Sequence, residues 1–132
     1  MSRRLLTSAV VLITALVTIG CTGSKAPVCS SVEDLQASVD NAKQTQSSEN
    51  GINELKSDLT VVSEDLQQVL DDAKAQYKSQ VVQISNDVAL LKEKIQLAGQ
   101  SHSATDISAV TSTVKLLGTD VRKLADEVKS TC

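Results

Sequence analysis

The side chains best suited to chemistry in this sequence are three cysteines and one histidine. Cys21, Cys29 and Cys132 lie far apart, and no C-x-x-C pair is present, so their spacing does not favour a redox-active motif. His102 stands alone in a predicted polar turn, and two thiols without further ligands do not make a zinc site. No serine lies in a G-x-S-x-G or S-x-x-K motif, and no glycine-rich phosphate loop occurs. The sequence therefore predicts that the protein is not an enzyme and holds no cofactor or metal.

The composition excludes several other classes of protein. Of 132 residues, 22% are charged, the net charge is −3, and Tyr77 is the only aromatic residue. Stacking on sugars or bases needs aromatic rings, and nucleic-acid binding needs a basic surface. A small β-sandwich or barrel normally uses aromatic, glycine and proline residues that are scarce in this sequence. The sequence predicts one small domain that does not bind nucleic acid.

The first twenty residues have the layout of a secretory signal. Arg3 and Arg4 precede residues 5–20, an uncharged and mostly apolar run of sixteen residues. A membrane-spanning helix needs about 20 apolar residues, so this run is short for a permanent anchor. We therefore expect residues 1–20 to be a signal peptide.

The end of this segment, Thr18-Ile19-Gly20-Cys21, resembles the lipobox of bacterial lipoproteins. Gly20 and Cys21 fit that pattern, whereas Thr18 stands where an aliphatic residue is usual. The resemblance implies that Cys21 receives a diacylglyceryl group, with palmitate-type acyl chains, and becomes the mature N-terminus. It implies a lipid anchor at the extracytoplasmic face of the cell membrane. Plain secretion and an uncleaved anchor are the alternatives.

Residues 21–29 are predicted to be the lipidated cysteine and a flexible tether, because the residues of this segment are mostly small or polar and include the only proline. Removal of residues 1–20 takes away Arg3 and Arg4 and changes the net charge from −3 to −5. An acidic domain is not attracted to an anionic lipid surface. We expect residues 30–132, the folded domain, to stand off the membrane.

If Cys21 carries lipid, two cysteines remain in an exported chain. An even number of cysteines in such a chain suggests a disulfide, here Cys29–Cys132. A redox or metal-binding pair is the alternative. The disulfide would join the start of the folded domain to its last residue.

After Cys29 the sequence carries three apolar stripes with the alternating spacing of three and four that is typical of coiled-coil helices. The absence of Phe and Trp fits narrow helix–helix seams. The stripes consist of Val32, Leu35, Val39 and Ala42; of fourteen residues from Ile52 to Ala98; and of seven residues from Ile107 to Val128.

Local signals mark the ends of these helices. The first helix is predicted to begin at Ser30 or Ser31, each of which has an acidic residue three positions later. Gly99 is placed to end the second helix, and Ser103 or Thr105 to cap the third.

Two all-α architectures fit this pattern. In the favoured one, residues 52–98 form one continuous long helix, flanked by two shorter antiparallel helices that lie end to end along it. In the alternative, the chain breaks within residues 71–80 and forms an up-down four-helix bundle. No glycine or proline lies in that stretch, which favours the continuous helix, with Tyr77 filling a stutter in the heptads.

Folding at the two turns predicts a register for each hairpin. The first hairpin places Leu35 opposite Val62, and the second places Ile107 opposite Ile95. Both hairpins bring Cys29 and Cys132 to the level of Val69, independently of any assumption that they pair.

A candidate partner patch lies outside the main stripe of the second helix, at Val82, Leu90 and Leu97. Such residues can pack in a bundle, dimerise or dock a partner helix. The carboxylates Asp71, Asp72, Asp126 and Glu127 are expected to be solvated, since no loop presents the alternating oxygen ligands of a Ca²⁺ site.

The mature sequence resembles small exported actinobacterial proteins that are helical and begin and end with a cysteine. The resemblance rests on the segment from Val28 to Leu35, on Asn50-Gly51-Ile52, on Ala75-Gln76-Tyr77 and on Cys132. It implies a setting and a fold but no site. The lipid anchor and heptads are also similar to the murein lipoprotein, whose terminal lysine is replaced here by Cys132.

These observations predict a lipid-anchored scaffold or interaction protein of the cell envelope that binds a protein partner or a second copy of itself. An apolar-ligand or lipid carrier, and a structural envelope spacer, are the alternatives.

Overall fold

A computed structural model describes residues 25–46 and 51–132. The predicted signal peptide, Cys21 and most of the predicted tether lie outside these residues. The prediction of an all-α fold is confirmed, because the part of the chain that is described is about 90% helical and contains no strand. Its elements are α1 (Pro27–Thr45), α2 (Gly51–Asp72), a short 3-10 helix (Ala75–Tyr77), α3 (Lys78–Ser101) and α4 (Ala104–Lys129).

The four helices form an up-down bundle in which each helix packs against its two neighbours. Close contacts join α1 to α2, α2 to α3, α3 to α4, and α4 back to α1. The starts of α1 and α3 and the ends of α2 and α4 therefore lie at one end of the bundle. The end of α1, the start of α2 and the α3–α4 turn lie at the other end.

The prediction of one continuous helix over residues 52–98 is wrong, and the structure has the four-helix arrangement given as the alternative. Helix α2 ends at Asp72, Lys74 is extended with φ −73° and ψ 164°, and the 3-10 helix leads into α3. No residue in this stretch forbids a helix, so the cause is tertiary burial. A helix hairpin lets α2 and α3 each face two neighbours, and the added apolar burial outweighs the few helical residues that are lost.

Aliphatic side chains form the core along its whole length. Leu35, Leu55, Ile84, Leu91 and Leu117 are among the largest fully buried residues, and every helix contributes to one continuous cluster. Narrow layers between four helices accept Val, Leu, Ile and Ala, which accounts for the near absence of aromatic residues.

Helix α1 begins three residues earlier than the sequence predicts. Pro27 occupies its first turn, where a missing N–H costs nothing. The predicted capping role of Ser30 and Ser31 is therefore wrong; Ser31 Oγ instead donates to the carbonyl oxygens of Pro27 and Val28 at 3.2 and 3.3 Å. Val28 and Cys29 are buried in the bundle and do not belong to a tether.

The first hairpin requires glycine where α2 begins. A Cβ atom on Gly51 would lie 2.9 Å from the carbonyl oxygen of Thr45, which is too close for any other residue. Asn41 Nδ2 donates to Asp58 Oδ1 at 3.0 Å across the same hairpin. This contact agrees with the register predicted from the sequence.

The second hairpin turns later than Gly99 suggests. Helix α3 continues to Ser101, and His102 closes it in the left-handed conformation with φ 50°. Ser103 caps α4 as predicted, since its Oγ accepts the Asp106 N–H at 3.1 Å. The tighter turn shifts the register of α4, and Ile107, predicted opposite Ile95, is 41% exposed.

A disulfide joins Cys29 in the first turn of α1 to Cys132 just after α4, with 6.0 Å between their Cα atoms. Tyr77 lies at the same end, 5% exposed, with its hydroxyl hydrogen-bonded to Thr131 Oγ1. The disulfide closes a loop of sequence separation 103, so it fixes α4 beside α1 and completes the cycle of helices.

Reduction of this disulfide is expected to lower the free energy of unfolding by about 2–4 kcal/mol, because the unfolded chain gains the entropy of an open loop. Urea unfolding of residues 22–132 with and without a phosphine reductant measures the difference. A variant with Cys29→Ala and Cys132→Ala is the control, and the reductant should not change its midpoint. Equal midpoints for the oxidised and reduced native sequence would contradict the closure role.

Candidate functional site

The predicted patch remains on the surface of the folded bundle. Val82, Leu90 and Leu97 are 47%, 37% and 42% exposed. Leu90 and Leu97 are seven residues apart and therefore share one face of α3. Val82 precedes Leu90 by eight residues, which rotates it by about 80° around the helix. The structure thus keeps Leu90 and Leu97 together and separates Val82 from them.

A leucine on α4 joins this face. Gln80 Nε2 donates to Glu127 Oε2, and this contact sets the register between α3 and α4. In that register Leu116, which is 44% exposed, lies across the seam from Leu90. We call Leu90, Leu97 and Leu116 the outer leucine face. Leu116 could have been assigned to it from the sequence only with the correct register of α4.

Below the outer leucine face, the α3–α4 seam contains two neighbouring carboxyl groups, of which one is buried and the other is partly exposed. Asp87 is 3% exposed and lies beside Asp120 of α4. Gln83 Nε2 donates to Asp87 Oδ1 at 3.2 Å, whereas Asp87 Oδ2 is buried with no hydrogen-bond partner among the described residues. Lys123 Nζ lies 3.6 Å from Asp120 Oδ1 and balances part of the charge.

Asp87 holds its proton more firmly than an isolated aspartate would. Burial, followed by the neighbouring Asp120 carboxyl, raises the pKa of Asp87 to about 6, and the Gln83 hydrogen bond opposes the shift. Two carboxylates in contact repel when both are ionised. Ionisation of Asp87 in the folded bundle therefore costs free energy at neutral pH.

Sequence reasoning missed this pair, although a signal was present. Asp87 stands three residues after Ile84 and four before Leu91, so it occupies a position within the apolar stripe of α3. An acidic residue at such a position faces a neighbouring helix. Its partner could not be named without the register of α4.

The remaining candidates do not form a site. Asp71 and Asp72 end α2, whereas Asp126 and Glu127 lie near the end of α4. In residues 25–46 and 51–132 no group of three or more His, Cys, Asp or Glu side chains is placed to hold a metal ion. Cys21, the predicted lipidation site, lies outside those residues.

Within the same two segments, no helix combines the length and the apolar character needed to cross a bilayer.

Comparison with known proteins adds no family. The chain matches no protein-family model, no curated protein and no solved structure. The function of the chain must therefore be inferred from its own residues.

Asp87→Asn is expected to stabilise the bundle at pH 7 by roughly 1–3 kcal/mol, the upper end corresponding to a shift from 3.8 to about 6. The pKa of Asp87 is higher in the folded protein than in the unfolded chain. The native sequence therefore loses stability as the pH rises from about 4 to about 6. The variant keeps the acceptor for Gln83 and removes the ionisation, so that loss should disappear.

Urea unfolding of both proteins at pH 4, 5, 6 and 7 measures this difference. Asp126→Asn is the matched control, since Asp126 is exposed and pairs with Lys129 at 3.1 Å. Its effect should stay within about 0.5 kcal/mol. A stability difference between Asp87→Asn and the native sequence that does not change with pH would refute the assignment.

Proposed function

We propose that this chain is a lipid-anchored helical interaction protein of the cell envelope, held at the extracytoplasmic face of the membrane and without catalytic activity. The outer leucine face is the observation that carries the proposal. Three leucines on two adjacent helices, each more than a third exposed, form an apolar surface that spans the α3–α4 seam.

The placement of this face supports a role away from the membrane. A tether from Cys21 would enter the bundle at Pro27, at the end that holds the disulfide. Leu97 lies nineteen residues after the start of α3, roughly 28 Å from that end at 1.5 Å per residue. A lipid at Cys21 would leave the outer leucine face between the middle and the distal end of the bundle, accessible to another protein.

The rigidity of the bundle fits the same role. The outer leucine face spans two helices, and a protein partner would have to meet both at once. The continuous aliphatic core packs α3 against α4, and the disulfide fixes α4 beside α1, so little conformational freedom is lost on binding.

Site-specific photocrosslinking in cells tests the proposal. A photoreactive phenylalanine derivative at position 90 or 97 should form crosslinked complexes at the membrane. The same group at position 61 should form none, because Val61 lies on α2, away from the outer leucine face. Val61 is a suitable control since it is at least as exposed, at 48%.

Leu116→Lys should then weaken the crosslink from position 97 about tenfold, since an interfacial leucine contributes about 1–2 kcal/mol and a buried lysine is costly. Val61→Lys is the matched control and should leave it unchanged. Crosslinking of equal strength from positions 61, 90 and 97, or none at all, would overturn the proposal.

A further inference from the structure

The seam between α2 and α3 is the least closely packed of the four and contains an open groove of about 370 Å³. Its floor is apolar and consists of Leu59 and Ile95. This volume lies near the lower end of the range for small-molecule sites, about 300–1,000 Å³. The groove lies on a different seam from the outer leucine face.

The groove has a charge opposite to that of the whole protein. Lys56 and Lys92 line it together with Thr60, Ser63, Gln96 and Gln100, and no acidic residue is among its lining residues. The complete sequence has 16 acidic and 13 basic residues. A cationic groove on an acidic chain selects anionic ligands.

Neither lysine is neutralised by the bundle. Lys25, Lys43, Lys94, Lys123 and Lys129 all lie within 4 Å of a carboxylate. In the part of the chain that is described, no ion pair involves either lysine of the groove. Both ammonium groups are available to a ligand.

The two lysines lie at opposite ends of the groove. A Cβ atom on Gly99 would lie 3.6 Å from Lys56 Nζ, which places Lys56 at the level of the end of α3. Lys92 is seven residues before Gly99, a separation of about 10 Å along the helix. Side chains tilt toward the start of their own helix, and α2 and α3 run in opposite directions, so the two ammonium groups diverge.

From this geometry we propose that the groove binds an elongated dianion, with an oxyanion group at each end and a short apolar middle. Lys56 and the Gln100 amide hold one end, and Lys92 holds the other. The apolar middle lies over Leu59 and Ile95. A linear dicarboxylate of about eight carbons has the required charge separation, whereas a single anionic group would leave one lysine without a partner.

Amide chemical shifts of residues 22–132 test this proposal, since that segment contains the whole described bundle and its disulfide. The probes are octanedioate, octanoate and succinate in low-salt buffer. Octanedioate should shift the amide signals of Ile95 and Gly99 and bind at least ten times more tightly than either other probe. Octanoate lacks the second charge, and succinate lacks the length.

Lys92→Gln should reduce octanedioate affinity about tenfold, to the level of octanoate. Lys115→Gln is the matched control, because Lys115 is an exposed helical lysine on α4 without an ion pair among the described residues. It should change affinity less than twofold. The spectra themselves show that each variant is folded.

Three results would overturn the proposal: no shift with 10 mM octanedioate, equal affinity for all three probes, or equal loss of affinity in both lysine variants. Shifts confined to the outer leucine face would also overturn it, because they would place the ligand on the other seam.

Discussion

The fold depends on closure of a cycle of four helices, and one covalent bond completes that cycle. Cys29 in the first turn of α1 and Cys132 after α4 are joined at one end of the bundle. The hairpin connections hold the other three pairs of neighbours, so α1 and α4 form the pair with no short connection between them. With that pair fixed, the four apolar stripes converge on one aliphatic core. The seams differ from one another on their outer sides, where the polar, acidic and exposed leucine residues occur.

The helices and their buried faces could be predicted from heptad spacing, because each apolar stripe must pack against another helix in either architecture. Leu35, Val62 and Leu117 are buried as their positions in the stripes require. The break after Asp72 could not be predicted, because no local residue causes it. It follows from the total area buried when α2 and α3 pack side by side. The exposure of Ile107 has a similar origin, since two residues in the α3–α4 turn decide the register of the whole hairpin.

The candidate surfaces were predictable only in part, for the same reason. Leu90 and Leu97 could be placed together outside the core by their spacing alone, and the spacing of eight residues between Val82 and Leu90 already separates Val82 from them. Leu116, the Asp87–Asp120 pair and the groove of Lys56 and Lys92 each combine residues from two helices. A sequence shows which residues share a helix face, but the register between helices decides which faces meet. The two seams thus differ in chemistry: the α3–α4 seam is apolar and acidic, and the α2–α3 seam is open and cationic.

We propose a disulfide-closed bundle that is tethered by lipid at the end where Cys29 and Cys132 are joined. The intact mass of the native protein, extracted from membranes without reduction and treated with a thiol-alkylating reagent, tests it most directly. The account predicts the mass of a chain that begins at Cys21, carries a diacylglyceryl group and has no alkylated thiol. A mass without acyl chains, or with alkyl groups on Cys29 and Cys132, would contradict it.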